Sequence, residues 1–322
     1  MAVLDITRQP LINNGALAER MLGDIERRDA MRGGLSNLGG TTPDYPYYAG
    51  GGARSYNAMG SLVASCVCDL DATLTGSYPG SGQTWYNLEP TPADSAAQSD
   101  YDFWLGETSS ATTDDPTFTG SADSASAYFS LDGGDHFTIK TMANCPTFLK
   151  SHRTDAAGTW CAIAYQGATL TTTSILYGAS NDANDMGSMA FLVNEAGSAF
   201  GVRIYNCNGT AASNSLMYTG ASDDTAIHIL ICSWDGTSST NNKRAWLDTR
   251  TKTSVSSTFT TSTTDSDEVW RIGAGSNGGA ASLRLPSGTK IYAFSAGNGF
   301  IDDADAAAII DEYNARHSRT YA

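Results

Sequence analysis

The chain has 322 residues, enough for a sizeable core, and a formal net charge of −15. An acidic body repels phosphate backbones, which excludes nucleic acid as a partner. No apolar run approaches the roughly 18 residues of a membrane span, which excludes membrane insertion. The charge is uneven: residues 1–60 hold six basic and six acidic side chains, and the remainder holds 28 acidic against 13 basic ones.

The opening MAVLDITRQPLINNG lacks a basic stretch followed by an apolar core, so no signal peptide is expected. Residues 14–32 predict an amphipathic helix. Leu17, Met21, Leu22 and Ile25 fall at helical spacing, and Glu19, Arg20, Glu26, Arg27 and Arg28 take the opposite face. Asn13 or Asn14 can cap its start, and Gly33-Gly34 stops it. Residues 35–60, rich in Gly, Pro and Tyr, read as an extended linker. A lone short helix must pack on something, so residues 1–34 are expected to be an anchoring arm. Leu17, Met21, Ile25, Tyr45 and Tyr47 are its candidate docking residues.

From residue 61 the pattern turns to short apolar runs separated by Gly, Ser, Thr, Asn and Asp, the signature of an all-β fold. Residues 62–70 predict the first strand, with Cys66 and Cys68 on one face. Further strands are expected at 101–105, 116–118, 127–133, 137–139, 159–165, 174–177, 189–193, 200–205, 215–218, 268–273 and 290–295. Between them, residues 226–248 predict a strand pair joined through Asp235-Gly236. The first member is apolar on both faces and is therefore expected to be central and covered on both sides. More than a dozen strands exceed one open sheet, so two packed sheets are expected. The chain closes on a predicted helix, capped by Asp302 or Asp303, with Ala306, Ile309, Ile310 and Tyr313 as its apolar stripe against the sandwich.

Six cysteines show no C-x-x-C spacing, so a zinc site is not expected and each reads as a small buried hydrophobe. Four histidines (His136, His152, His228 and His317) are scattered with no spaced metal pair. No Glu begins an E-x-D-x-x-E pattern of the kind that sets two carboxylates on one strand for glycoside hydrolysis. Asp265-Ser266-Asp267-Glu268 comes nearest and reads as a solvated loop. Gly80-Ser81-Gly82 matches a serine-hydrolase elbow only in part. The chain is therefore expected not to be an enzyme.

Four pieces in order resemble the concanavalin A-like lectin/glucanase sandwich in its laminin-G-like form. They are Ser77 to Leu88 (SYPGSGQTWYNL), then Pro116-Thr117-Phe118 with Tyr128 to Asp135, then His228…Trp234-Asp235-Gly236…Trp246-Leu247-Asp248, and last Ile272-Gly273…Gly288 to Tyr292 with Gly299 to Asp305. The sequence departs from the pattern at Asn87-Leu88-Glu89-Pro90 and at Thr249-Arg250. The resemblance implies a two-sheet jelly roll over 61–322, and calcium is the cofactor that related sandwiches hold in oxygen-rich loops. Candidate ligands are Asp182, Asn184 and Asp185, then Asp223 and Asp224, then Asp132 and Asp135. A sugar site needs an exposed aromatic beside hydrogen-bonding side chains. Trp104, Tyr205 with Asn206 and Asn208, and Trp85 have that composition, although Trp85 sits in a structural motif and reads more readily as buried. Trp160, Trp234, Trp246 and Trp270 read as core.

An arm, a linker and such a sandwich imply a surface protein of a phage or phage-like particle, a head decoration, spike or tail fibre. Residues 1–60 would meet capsid or tail proteins, and copies would associate, a trimer being the first guess. The sandwich would face host cell-surface polysaccharide. The alternative is a bacterial extracellular glycan-binding protein or glycoside hydrolase of the same fold.

Overall fold

In the computed structural model the described residues are 56–168, 172–179, 189–195, 199–205, 211–219, 225–238, 240–256, 263–266 and 268–321. The expected arm, with Leu17, Met21 and Ile25, and the linker positions Tyr45 and Tyr47 lie outside them. The described chain opens on a one-turn helix, α1 (Met59–Leu62). The strands then run β1 (Cys66–Asp71), β2 (Thr84–Trp85), β3 (Phe103–Leu105), β4 (Thr117–Thr119), β5 (Tyr128–Ser130) and β6 (Phe137–Ile139). A short helix, α2 (Pro146–Leu149), separates these from β7 (Thr159–Gln166), β8 (Ser174–Gly178), β9 (Met189–Glu195), β10 (Ala199–Tyr205), β11 (Ala211–Thr219) and β12 (Ile227–Trp234). Last come β13 (Lys243–Leu247), β14 (Thr253–Val255), β15 (Arg271–Ile272), β16 (Gly275–Asn277), β17 (Ala280–Ser282), β18 (Lys290–Asn298) and helix α3 (Asp303–His317).

Sheet A runs β14-β13-β12-β7-β18-β5-β4, and β1 also pairs with β18. Sheet B runs β11-β10-β9-β8-β15-β6-β3-β2, and β16 and β17 form a separate hairpin. Every strand pairing is antiparallel. The inner faces meet in one aromatic core. Phe103 of sheet B lies 6.3 Å from Phe294 of sheet A, and Tyr177 lies 5.4 Å from the same ring, centroid to centroid. The protein is thus an all-β two-sheet sandwich with a C-terminal helix.

Sheet A is apolar on both faces because it is covered on both. Along β12, Leu230, Cys232 and Trp234 enter the inter-sheet core, while Ile229 and Ile231 enter a second core under α3. Ile309, Ile310 and Tyr313 of α3 fill that second core. The Asp302 carboxylate accepts from the Ala304 and Asp305 amides and so starts the helix. Trp160, Trp234 and Trp246 are buried on strands, and Trp270 is buried just before β15.

Three expectations need correction. The segment predicted as one strand over 62–70 is the end of α1 followed by β1. Cys66 and Cys68 do not share a face: the register slips between them opposite Ala296 and Gly297, so Cys66 joins the α3 side and Cys68 the inter-sheet core. Residues 56–60, read as linker, pack on the body. Met59 is buried in the α3-side core, and the Asn57 side-chain amide donates to Glu312 Oε2 at 2.8 Å.

Candidate functional site

Strand alternation builds one polar face. In β3, Phe103 and Leu105 point into the core, which turns Trp104 outward. In β6, Phe137 and Ile139 point inward, so Thr138 points outward, with His136 and Lys140 at the same parity on either side. In β15, Ile272 is core and Arg271 lies on the outer side. The cross-strand register aligns Thr84, Trp104, Thr138, Arg271 and Gly178 in one row across five strands. The same backbone register continues through Ala190 and Arg203 to Asn214.

At one end of this row stands Trp104, half-buried. Lys140 Nζ lies 4.5 Å from the centre of its ring and 3.2 Å from Asp102 Oδ2. Burial pushes the Asp102 carboxyl up to about 6, against the Asn87 amide and Lys140, which both favour its ionised form. At neutral pH Asp102 is therefore ionised and holds Lys140 against the indole.

On the other side of Thr138 lies an ionic cluster. Glu107 Oε1 accepts from Arg271 Nη2 at 2.6 Å, and Glu107 Oε2 lies 3.0 Å from His136 Nε2. Asp114 Oδ2 lies 3.9 Å from the same nitrogen. Burial would raise the Glu107 carboxyl, but hydrogen bonds from His136 and Arg271, with their charge, bring it down to about 2. Arg271 is fully buried and also donates to Ser276 Oγ at 2.8 Å and to the Gly279 carbonyl, which ties the β16–β17 hairpin to the sheet. Glu268 accepts from the Gly278 and Gly279 amides at 2.7 and 3.0 Å. It is thus a buried brace for the hairpin and not part of a solvated loop.

Gly106 permits this assembly. Its φ of +72° favours glycine, and a Cβ there would overlap Asp115 Oδ1 and press on the Asp114 carboxyl. The Asp114-Asp115 turn can therefore close over the end of β3. The His136 amide donates to the Asp114 carbonyl at 3.2 Å, and the Gly106 amide donates to the His136 carbonyl at 2.8 Å.

Of the predicted sugar-contact residues, Trp104 stands on the polar face. Trp85 does not: it is fully buried, with Phe137 and Phe129 ring centroids at 4.8 and 5.0 Å. Tyr205 ends β10, and its side chain, with Asn206 and Asn208, lies outside the described residues. So do the calcium candidates Asp182, Asn184, Asp185, Asp223 and Asp224. Asp132 and Asp135 close their own turn: Asp132 Oδ1 accepts from the Gly134 amide at 2.7 Å, and Asp135 Oδ2 from the Asp132 amide at 2.8 Å. The cluster of Glu107, Asp114, His136 and Arg271 was not anticipated. Its members are far apart in sequence, and the available signal was the parity of His136 with Thr138.

No protein-family model matches the chain, and no curated protein matches its sequence. Among solved structures, a Trypanosoma rangeli sialidase in complex with 2,3-difluorosialic acid matches at 12 % identity and a TM-score of 0.49. The match covers 87 % of this chain, which spans only 36 % of the sialidase. The CBM40 domain of Ruminococcus gnavus IT-sialidase matches at 10 % identity and a TM-score of 0.43, over 56 % of this chain and 95 % of that domain. At these scores the likenesses carry no argument about this chain.

Proposed function

We propose that the chain is a carbohydrate-binding sandwich of the concanavalin A-like type, which holds a glycan against the outer face of sheet B. The observation that carries this reading is Trp104. It is a half-buried indole on an otherwise polar sheet face, with Lys140 held beside it and Thr84 and Thr138 flanking it in register. A sugar ring stacks its C–H face on such an indole and takes hydrogen bonds from neighbouring polar groups. Lys140 supplies donors there, and the partly exposed Glu107 supplies an acceptor further along the face. The reading is one of binding without hydrolysis. Attachment to a virion through residues 1–60, as a trimer or otherwise, is no part of it, because residues 1–55 lie outside the described chain.

The test passes the full chain over a panel of immobilised bacterial envelope polysaccharides and measures retention and released reducing sugar. Retention that free oligosaccharide reverses is expected on at least one of them. Trp104→Ala should weaken it about tenfold or more, since a well-packed aromatic anchor contributes upwards of about 1.4 kcal/mol, and should leave the thermal midpoint unchanged. Retention by none, or equal retention by Trp104→Ala, would sink the proposal. Released sugar would show a hydrolase instead.

A further inference from the structure

The ionic cluster around Arg271 supports a second assignment, which does not rest on sugar binding. We propose that Glu107, Asp114 and His136 bind a divalent transition-metal ion of the zinc class. Each offers one ligand atom, and the three lie within 4.8 Å of one another; His136 Nε2 is 3.0 Å from Glu107 Oε2 and 3.9 Å from Asp114 Oδ2. An ion at the usual ~2.0–2.2 Å from N and O ligands sits between such atoms after a small closing movement of the partly exposed Asp114 side chain.

The stronger observation concerns the atoms that would not bind the ion. In all three residues the other polar atom already has a partner. Glu107 Oε1 is held by Arg271 Nη2 at 2.6 Å. Asp114 Oδ1 accepts from the Thr112 hydroxyl. His136 Nδ1 faces the Gly134 carbonyl at 3.5 Å. Outer partners of this kind fix a ligand's orientation. His136 Nε2 lies 3.0 Å from Glu107 Oε2, a gap bridged by a proton in the hydrogen bond between them, and a metal ion would take that proton's place. The His136 side chain is 1 % exposed, and that of Glu107 is 42 % exposed.

Ligand type selects the ion. One imidazole and two carboxylates match the three-ligand, one-water geometry of zinc, whereas calcium takes six to eight oxygens. Arg271 opposes a cation: its charge is adjacent, and its Nε donates to Glu107 Oε2 itself at 3.3 Å, a contact that the ion would have to displace. Asp115, whose carboxylate lies beside that of Asp114 over Gly106, offsets the charge.

The test uses the full chain, stripped with a chelator and dialysed, then titrated at neutral pH with Zn²⁺ by calorimetry and with Co²⁺ by visible absorption. One tight equivalent of Zn²⁺ is expected, displacing Co²⁺ from a tetrahedral spectrum and raising the thermal midpoint. Asp114→Asn should abolish that equivalent, and Thr112→Val, which frees Asp114 Oδ1, should weaken it about tenfold or more. Both positions are on the surface loop, and unfolding curves of the metal-free variants report whether the fold survives. If Asp114→Asn does not fold, Thr112→Val decides. Absence of uptake by the unaltered chain assigns the cluster to a proton-bridged His136–Glu107 pair and overturns the proposal. So does zinc binding of equal strength in the deciding variant.

Discussion

His152 is buried just after α2, close to the backbone of Thr264 and the charge of Arg153. Burial, with the nearby Arg153 charge, lowers its pKa to about 4 from the ordinary 6.5. Between these values the unfolded chain binds a proton that the folded chain refuses. Stability is therefore whole above about pH 6.5 and falls as the pH drops through about 4, by up to about 3 kcal/mol. Chemical unfolding at several pH values should show this loss, and His152→Gln, which does not titrate, should remove that part of it. An unchanged pH slope in His152→Gln would place the acid sensitivity elsewhere. The same reasoning distinguishes the tryptophans. Trp85 and Trp104 are similar in composition, but Trp85 lies between two phenylalanine rings while the parity of β3 turns Trp104 out.

Helix α3 is fastened by charge as well as by its apolar stripe. Arg316 reaches Asp69 through Nη1 and Nη2 at 2.9 and 2.8 Å and Glu312 through Nε at 2.9 Å, all buried. Asp71 would be raised by burial, but His317 and Arg316 beside it outweigh this and lower it. Replacing Arg316 by Met should cost about 3–5 kcal/mol, because it strands buried carboxylates. Denaturant titration measures this, and a loss below about 1 kcal/mol would show the network to be dispensable. The helix itself was legible in the sequence, since Asp302 with Asp305 and the run Ala306, Ile309, Ile310, Tyr313 are local signals. So was β12, because a strand covered on both faces carries apolar residues on both. The slip in β1 was not legible, since it is set by the opposing Ala296–Gly297 register and not by its own residues. Nor was the cluster: Glu107 and Asp114 come from the β3–β4 loop and His136 from the residue before β6, and the pairing of β3 with β6 brings them together.

Across the whole molecule, the same dependence on distant partners decides where the folded body starts. Composition places the boundary at Gly60, because Gly, Pro and Tyr dominate the preceding stretch. The structure moves it earlier. Asn57 donates to Glu312 through its backbone and side chain at 2.9 and 2.8 Å, its carbonyl accepts from Arg316 Nη2 at 2.8 Å, and the Gly60 amide donates to Glu89 Oε2 at 2.8 Å. Met59 fills the α3-side core. A chain beginning at Gly50 keeps all of these contacts and should unfold at the same denaturant midpoint as the full chain. A chain beginning at Ser61 loses the Met59 side chain, worth about 2–5 kcal/mol when buried, and leaves Glu312 and Arg316 each short of a partner. Its midpoint should fall well below that of the Gly50 chain, with α3 detaching first, read as early amide exchange at residues 303–317. Equal midpoints would mean that residues 56–60 only rest on the sandwich and that the compositional boundary was right. An early loss of α3 would mean that the segment before the sandwich and the helix after it stabilise each other on the outer face of sheet A.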